Sequence, residues 1–119
     1  MDTIVKLGLY GQEPLPPRPN PDGTYTITNA QSGPTPTTPG VAILVNTIGA
    51  FFHGSFNGLP LTTDNGRIRG GTPRAQIFIL LHELGHTTNV LENDANDPPA
   101  GRRNDKKLDS KCKKTITAT

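Results

Sequence analysis

Proline is distributed unevenly along this chain of 119 residues, since eight of its twelve prolines lie between Pro14 and Pro39. A stretch of this composition carries few of the apolar side chains whose burial offsets the entropy lost on folding. We therefore predict that residues 1–39 form a flexible arm or linker, interrupted by one small hairpin around Asp22 and Gly23. The folded domain is expected in residues 40–119.

The composition changes at the start of that domain. An apolar, largely β-branched run at residues 41–46 predicts a buried strand, and residues 48–56 are expected to form a second strand after a turn. A loop rich in glycine and polar residues follows at 58–71, with turn signals for another short hairpin. Strands followed by helices predict an α+β fold.

Two helices are expected in the second half of the chain. The first begins at Thr72, whose side chain would cap it, with Pro73 in the first turn where a missing N–H has no cost. Residues 77–81 form an apolar run without a polar face, which is typical of a helix inside a domain. The second is predicted to follow a turn at residues 98–101, with Asn104 as its N-cap, and to direct three positions inward: Leu108, Cys112 and Ile116.

The first of these helices carries an H-E-x-x-H motif, His82-Glu83-Leu84-Gly85-His86. Residues four apart share one face of a helix, so His82 and His86 can direct ring nitrogens at one metal ion, while Glu83 is rotated by about 100° from His82. The chain holds only three His and three Glu, yet two His and one Glu lie in this motif. The pattern predicts Zn²⁺ bound by His82 and His86, with Glu83 as the general base of a hydrolytic reaction.

Over residues 72–94 the chain resembles the zincin metallopeptidases, whose active-site helix carries these residue types at this spacing. The resemblance implies a small domain in which a short, mainly antiparallel sheet packs on the central motif helix, and a peptide or protein substrate that pairs with the sheet edge. The metzincin subgroup is not matched, because its glycine is replaced by Asn89, its third histidine by Glu92, and the only methionine is Met1.

A more specific likeness is to small bacterial proteins with the segment H-E-L-G-H-x-T-G-x-L-x-x-D, which look like secreted or envelope-directed zincins. Asn89 occupies the second glycine position here, and Asn tolerates the left-handed backbone that would end the helix there. The resemblance implies Asp94 as the third metal ligand. Reasoning from the residues alone leaves four other side chains open for that role: Glu92, His53, Asp97 and Asp105.

Charge and segment length argue against several other classes of function. Seven of the twelve Lys and Arg residues lie between Arg102 and Lys114, but the net charge is only +2 and no nucleic-acid motif accompanies them. A solvated helix face is therefore favoured over nucleic-acid binding. We expect no membrane span, and residues 1–10 do not read as a signal peptide although the resemblance suggests export. A single cysteine, Cys112, permits no internal disulfide.

Two hypotheses for function follow. The first is a zinc-dependent hydrolase, specifically a small metallo-endopeptidase that uses His82, His86 and Asp94 as ligands and Glu83 as base. Arg102 or Arg103 could then stabilise the oxyanion, since neither Tyr of this chain follows the motif, and His53 is a further candidate for that role or for substrate contact. The alternative is a non-catalytic metal-binding or envelope module in which the same site is structural or inactive.

Overall fold

A three-stranded mixed sheet lies beside the motif helix in the computed structural model, which describes residues 10–32, 43–94 and 97–119. The central strand β5 (Ile43–Asn46) is fully buried. It pairs in parallel with β1 (Tyr10–Glu13) and antiparallel with β4 (Ala30–Ser32). The apolar run predicted as a buried strand is thus confirmed over residues 43–46, while residues 41 and 42 lie outside the described residues.

Three two-stranded hairpins accompany this sheet. Two of them confirm predicted hairpins, one around Asp22 and one in the glycine-rich loop before the motif helix. Their strands are β2 (Arg18–Pro19) with β3 (Tyr25–Thr26), β6 (Ser55–Phe56) with β7 (Leu59–Pro60), and β8 (Thr62–Thr63) with β9 (Ile68–Arg69). Together with two helices, they make the described residues a small α+β fold.

The segment predicted as a flexible arm provides both neighbours of the central strand. Of the prolines between residues 10 and 32, only Pro19 lies in a strand, and β1 and β4 contain none. Both strands are short, and their main chains satisfy the backbone groups of β5 on its two sides. The average composition of the segment concealed these two stretches. The predicted boundary at residue 40 lies outside the described residues.

The prediction of a strand over residues 48–56 is wrong. The backbone there turns back on itself, because the N–H groups of Phe52 and His53 both donate to the carbonyl of Gly49, at 3.3 and 3.1 Å. The side chain of Asn46 also accepts a hydrogen bond from the N–H of Ile48 at 3.1 Å. Only β6, at the end of the run, pairs with another strand. Turn hydrogen bonds prevailed over the local β propensity.

The motif helix α1 (Pro73–Thr87) begins as predicted. Thr72 Oγ1 accepts a hydrogen bond from the N–H of Ala75 at 3.1 Å, and Pro73 lies in the first turn. The helix lies between two apolar clusters, with Ile79 and Leu80 in the cluster of the sheet and Ala75 and Phe78 in the cluster of the second helix. Contacts on two sides explain why its apolar run has no polar face.

The second helix, α2 (Pro98–Thr117), begins seven residues earlier than predicted, counted from one N-cap to the other. Asp97 is its N-cap, since Asp97 Oδ1 accepts from the N–H of Ala100 at 3.2 Å. The Pro98-Pro99 pair, which we interpreted as a turn, occupies the first helical turn where proline is tolerated. Asn104 therefore lies in the second turn of the helix rather than at its start, and its side chain is buried.

The inner face of α2 was predicted correctly. Leu108 and Ile116 are buried in the cluster with Ala75 and Phe78, and Cys112 packs against it as a partly buried free thiol. The helix is kinked at Cys112, where φ is −114° and ψ is 16°.

Across the described ranges, no helix combines the length and the apolar character needed to cross a bilayer.

Candidate metal centre

Two imidazoles project from one side of α1 toward the start of α2. The ring centroids of His82 and His86 lie 4.9 Å apart, with 63° between the ring planes. Both side chains are largely but not fully buried, with 16% and 14% of their surface exposed. The i, i+4 spacing therefore places the two imidazoles on one face of the helix, as helix geometry predicts.

The chain reverses directly after α1. Asn89 has φ 60°, the left-handed conformation predicted for this position. The N–H groups of Val90 and Leu91 then donate to the carbonyl of Gly85, at 2.9 and 3.1 Å. Leu91 is buried against Gly85 so closely that a Cβ on that glycine would lie 2.6 Å from Leu91 Cγ. This reversal turns the following residues back toward the histidines.

Asp94 is the acidic side chain that the reversal brings to the two imidazoles. Its Oδ2 lies 3.0 Å from His82 Nε2, and its Oδ1 lies 3.2 Å from His86 Nε2. One ligand atom from each of these three residues falls within 4.8 Å of the others. His82, His86 and Asp94 could therefore hold a metal ion.

Asp105, on the second turn of α2, binds the other nitrogen of His82. Its Oδ1 lies 2.8 Å from His82 Nδ1. His82 Nδ1–H can donate to Asp105, as metal-ligating histidines commonly donate to a carboxylate, and Nε2 is then the nitrogen on the side of Asp94 and His86. Burial lowers the pKa of His82, but the Asp105 hydrogen bond and the charges of Glu83, Asp105 and Asp94 outweigh it and raise that pKa to about 9.

Asn104 holds Asp94 in place from the same turn of α2. Its side-chain amide donates to Asp94 Oδ2 at 3.0 Å and to the carbonyl of Glu92 at 2.8 Å, and its oxygen accepts from the N–H of Glu92 at 3.1 Å. Burial raises the pKa of Asp94, but Asn104 and the two imidazoles more than offset this, so the pKa is lowered overall. No sequence signal indicates this role, because a single Asn has no characteristic spacing from a candidate ligand.

Glu83 is buried beside the candidate ligands, with 8% of its surface exposed. Ser32 Oγ, at the end of β4, hydrogen-bonds to Glu83 Oε2 and lies 3.2 Å from the Glu83 carbonyl oxygen. Burial raises the pKa of Glu83, and the Ser32 hydrogen bond and the two histidines oppose that shift without reversing it. No sequence signal pointed to Ser32, which lies 51 residues before its partner.

Two of the alternative ligands are occupied elsewhere. Glu92 is exposed and forms a two-point ion pair with Arg103, at 2.6 and 3.2 Å. His53 is exposed, and its Nε2 lies 2.9 Å from the carbonyl oxygen of Thr47. Neither belongs to the cluster of candidate ligands among the described residues.

The other two alternatives, and the predicted oxyanion groups, also take different positions. Asp97 caps α2, and Asp105 supports His82 from outside the cluster. Arg103 is paired with Glu92, and both Arg102 and Arg103 are exposed. Within the described part of the chain, neither arginine lines the cleft described next.

A cleft of about 710 Å³ opens over this cluster. Ile79, His82 and Glu83 of α1 form part of its lining, and Asp94 and Asp105 line it on the side of α2. The remaining walls come from the β2–β3 and β8–β9 hairpins and the segment leading into β4, with Arg18, Thr26, Asn29, Thr62 and Asn65 among the lining residues.

Comparisons with protein-family models, with curated proteins and with solved structures found no match to this chain.

Proposed function

We propose that this protein is a zinc-dependent hydrolase, a small metallo-endopeptidase with Glu83 as its general base. The observation that supports this proposal best is the placement of one buried carboxylate, Glu83, next to a separate group of three possible ligands, at the base of an open cleft. A metal site that only stabilises a fold has no need of such a carboxylate.

The donor set favours zinc over other common ions. Two imidazoles and one carboxylate are a ligand set found in catalytic zinc sites, which keep a fourth position open, whereas Mg²⁺ and Ca²⁺ prefer oxygen ligands throughout. When bound, Zn²⁺ polarises a carbonyl group and lowers the pKa of a coordinated water from about 15.7 to about 7.

The chain's own residues would then carry the proton. Glu83 would accept a proton from the attacking water as oxygen adds to the carbonyl carbon, and would donate it to the amine nitrogen as the C–N bond breaks. Ser32 orients that carboxylate, while Asp105 and Asn104 fix His82 and Asp94. A cleft of about 710 Å³ has room for several residues of an extended peptide.

The test is the Glu83→Gln substitution in protein purified without chelators. We expect the variant to keep its zinc, measured by elemental analysis, and to lose about 10²- to 10⁴-fold in peptide turnover, the usual contribution of a general base. Glu92→Gln is the matched control, since Glu92 is exposed and paired with Arg103. Equal turnover in Glu83→Gln and the parent would exclude the proposed mechanism.

One observation favours the alternative, a structural metal in a non-catalytic module. The candidate ligands link the two helices, through His82 with Asp105 and Asp94 with Asn104, as a stabilising metal would do. Under this alternative, protein with stoichiometric zinc would cleave nothing in a broad peptide library. Chelation would lower its unfolding temperature.

A further inference from the structure

A second groove, of about 720 Å³, lies beside the cleft. It runs between the β2–β3 hairpin, which contributes Tyr25, and the β6–β7 hairpin, which contributes Phe56 and Leu59. Its other apolar lining residues are Ile27, Leu61 and two prolines, Pro17 and Pro60. None of its lining residues is charged.

The apolar side chains of this groove are not all covered by the fold. Tyr25 and Leu59 are each 67% exposed, and they are the two most exposed large hydrophobic residues in the described part of the chain. Ile27 and Phe56 are half-buried and pack against the apolar cluster of the sheet. The groove therefore has a fixed apolar floor and an open apolar rim, which is typical of a binding surface.

The groove is continuous with the cleft over the metal ligands. Asn29 and Thr62 line both of them. Asn29 is fixed by its carbonyl, which accepts from the N–H of Asn46 at 3.0 Å, and Thr62 belongs to β8. A peptide bound across Glu83 would thus have an uncharged apolar surface on one side of the bond being cleaved.

We propose that this groove binds an apolar side chain of the peptide substrate and makes the site selective for peptides with a large hydrophobic residue near the cleaved bond. This inference rests on the proposed peptidase function. Burial of an aliphatic or aromatic side chain between Tyr25 and Leu59 is favourable, whereas a charged side chain would lose hydration without finding a partner.

Binding and cleavage are measured separately to test this. Labelled peptides that differ at one position, with Leu, Phe, Ser, Asp or Lys, are titrated by fluorescence polarisation against zinc-loaded Glu83→Gln protein. The same peptides are offered to the parent protein for cleavage. We expect the Leu and Phe peptides to bind at least about 10-fold more tightly than the Ser, Asp and Lys peptides, which is the selectivity that an apolar pocket gives.

Substitutions on the rim assign that preference to the groove. Leu59→Ser and Tyr25→Ser, each made in the Glu83→Gln background, should remove most of the preference and leave the zinc content unchanged, because both side chains are exposed and lie on hairpins outside the ligand cluster. Phe52→Ser is the matched control, since Phe52 is exposed but does not line the groove.

The outcomes separate the two proposals. Equal binding of all peptides, or a preference that survives both rim substitutions, would overturn the groove assignment even if the parent cleaves peptides. A preference that the rim substitutions remove, in a protein that cleaves none of them, would support the groove and reject the peptidase. Self-association that Leu59→Ser abolishes, without any peptide preference, would assign the groove to a second copy of the chain and overturn the proposal.

Discussion

The two helices contribute to the candidate metal centre in different ways. From α1 come His82 and His86 as candidate ligands and Glu83 as the proposed base, all within five residues. From α2 come Asn104 and Asp105, which touch Asp94 and His82 but do not belong to the ligand cluster. The motif on α1, the ligand helix, is recognisable in the sequence because helix geometry fixes the spacing of residues that share one face. The residues of α2, the supporting helix, are not recognisable, because only tertiary packing places them next to the candidate ligands.

The largest expected effect lies on the ligand helix. In His86→Ala we expect zinc affinity to fall by more than about 100-fold, the upper range for residues that only support a ligand. Competition with a chelating dye measures this. His53→Ala is the control, since the third histidine is exposed and outside the cluster. An equal loss in His53→Ala would place the metal elsewhere.

On the supporting helix, Asp105→Asn should weaken zinc binding by about 10- to 100-fold, because an amide orients His82 without raising the basicity of the ring. The same dye competition applies. Asp109→Asn, one turn further along α2, is the control because that carboxylate pairs with Arg67 at the surface. If both variants bind zinc like the parent, the supporting role assigned to α2 is wrong.

Asn104→Ala should lower the free energy of unfolding of the metal-free protein by about 2 kcal/mol, since it removes three partly buried hydrogen bonds, two to the main chain of Glu92 and one to Asp94. Urea denaturation measures this difference. Ser110→Ala, at an exposed position of the same helix, should change it little. A loss confined to zinc affinity would mean that Asn104 positions Asp94 without stabilising the fold.

The smallest expected effect concerns Asp64, in the β8–β9 turn next to α2. Asp64 is 2% exposed, and among the described residues its Oδ1 has no hydrogen-bond partner. Burial, and the neighbouring charge of Asp109, raise the pKa of Asp64 to about 6. Its proton is therefore held more tightly in the folded chain than in the unfolded chain.

That shift makes the contribution of Asp64 to stability largest below pH 3.8, the ordinary pKa, and removes it as the pH rises through about 6. Asp64→Asn should therefore be more stable than the parent at pH 8, by about 1 kcal/mol, and no more stable at pH 4. Asparagine also tolerates the φ of 53° at this position. Thermal denaturation at the two pH values measures the difference, and a gain that is the same at both would contradict a titrating carboxyl.

Local features of the fold were readable from the sequence. The Thr72 cap, the buried apolar run of α1 and the left-handed Asn89 all depend on residues within a few positions of each other, where sequence rules are strongest. Asp94 is the candidate ligand that the resemblance implies, whereas reasoning from the residues alone leaves Glu92 and three others open as well.

The features that sequence analysis missed depend on distant partners. β1 and β4 form because each pairs with one side of β5, although the segment that contains them is rich in proline. Ser32 meets Glu83 across 51 residues, and Asp105 meets His82 across 23. Asn104 has the residue type of a helix cap, and only the earlier start of α2 at Pro98 places it in the interior.

The contact between Leu91 and Gly85 has a consequence for metal uptake. An apolar side chain anchors the reversal after α1, so packing as well as polar contacts holds Asp94 next to the histidines. A preorganised binding site loses little conformational entropy on loading. Affinity for a metal ion at this site would therefore depend on the packing of Leu91 against Gly85, and a methyl group added at position 85 would weaken it without contacting a donor atom.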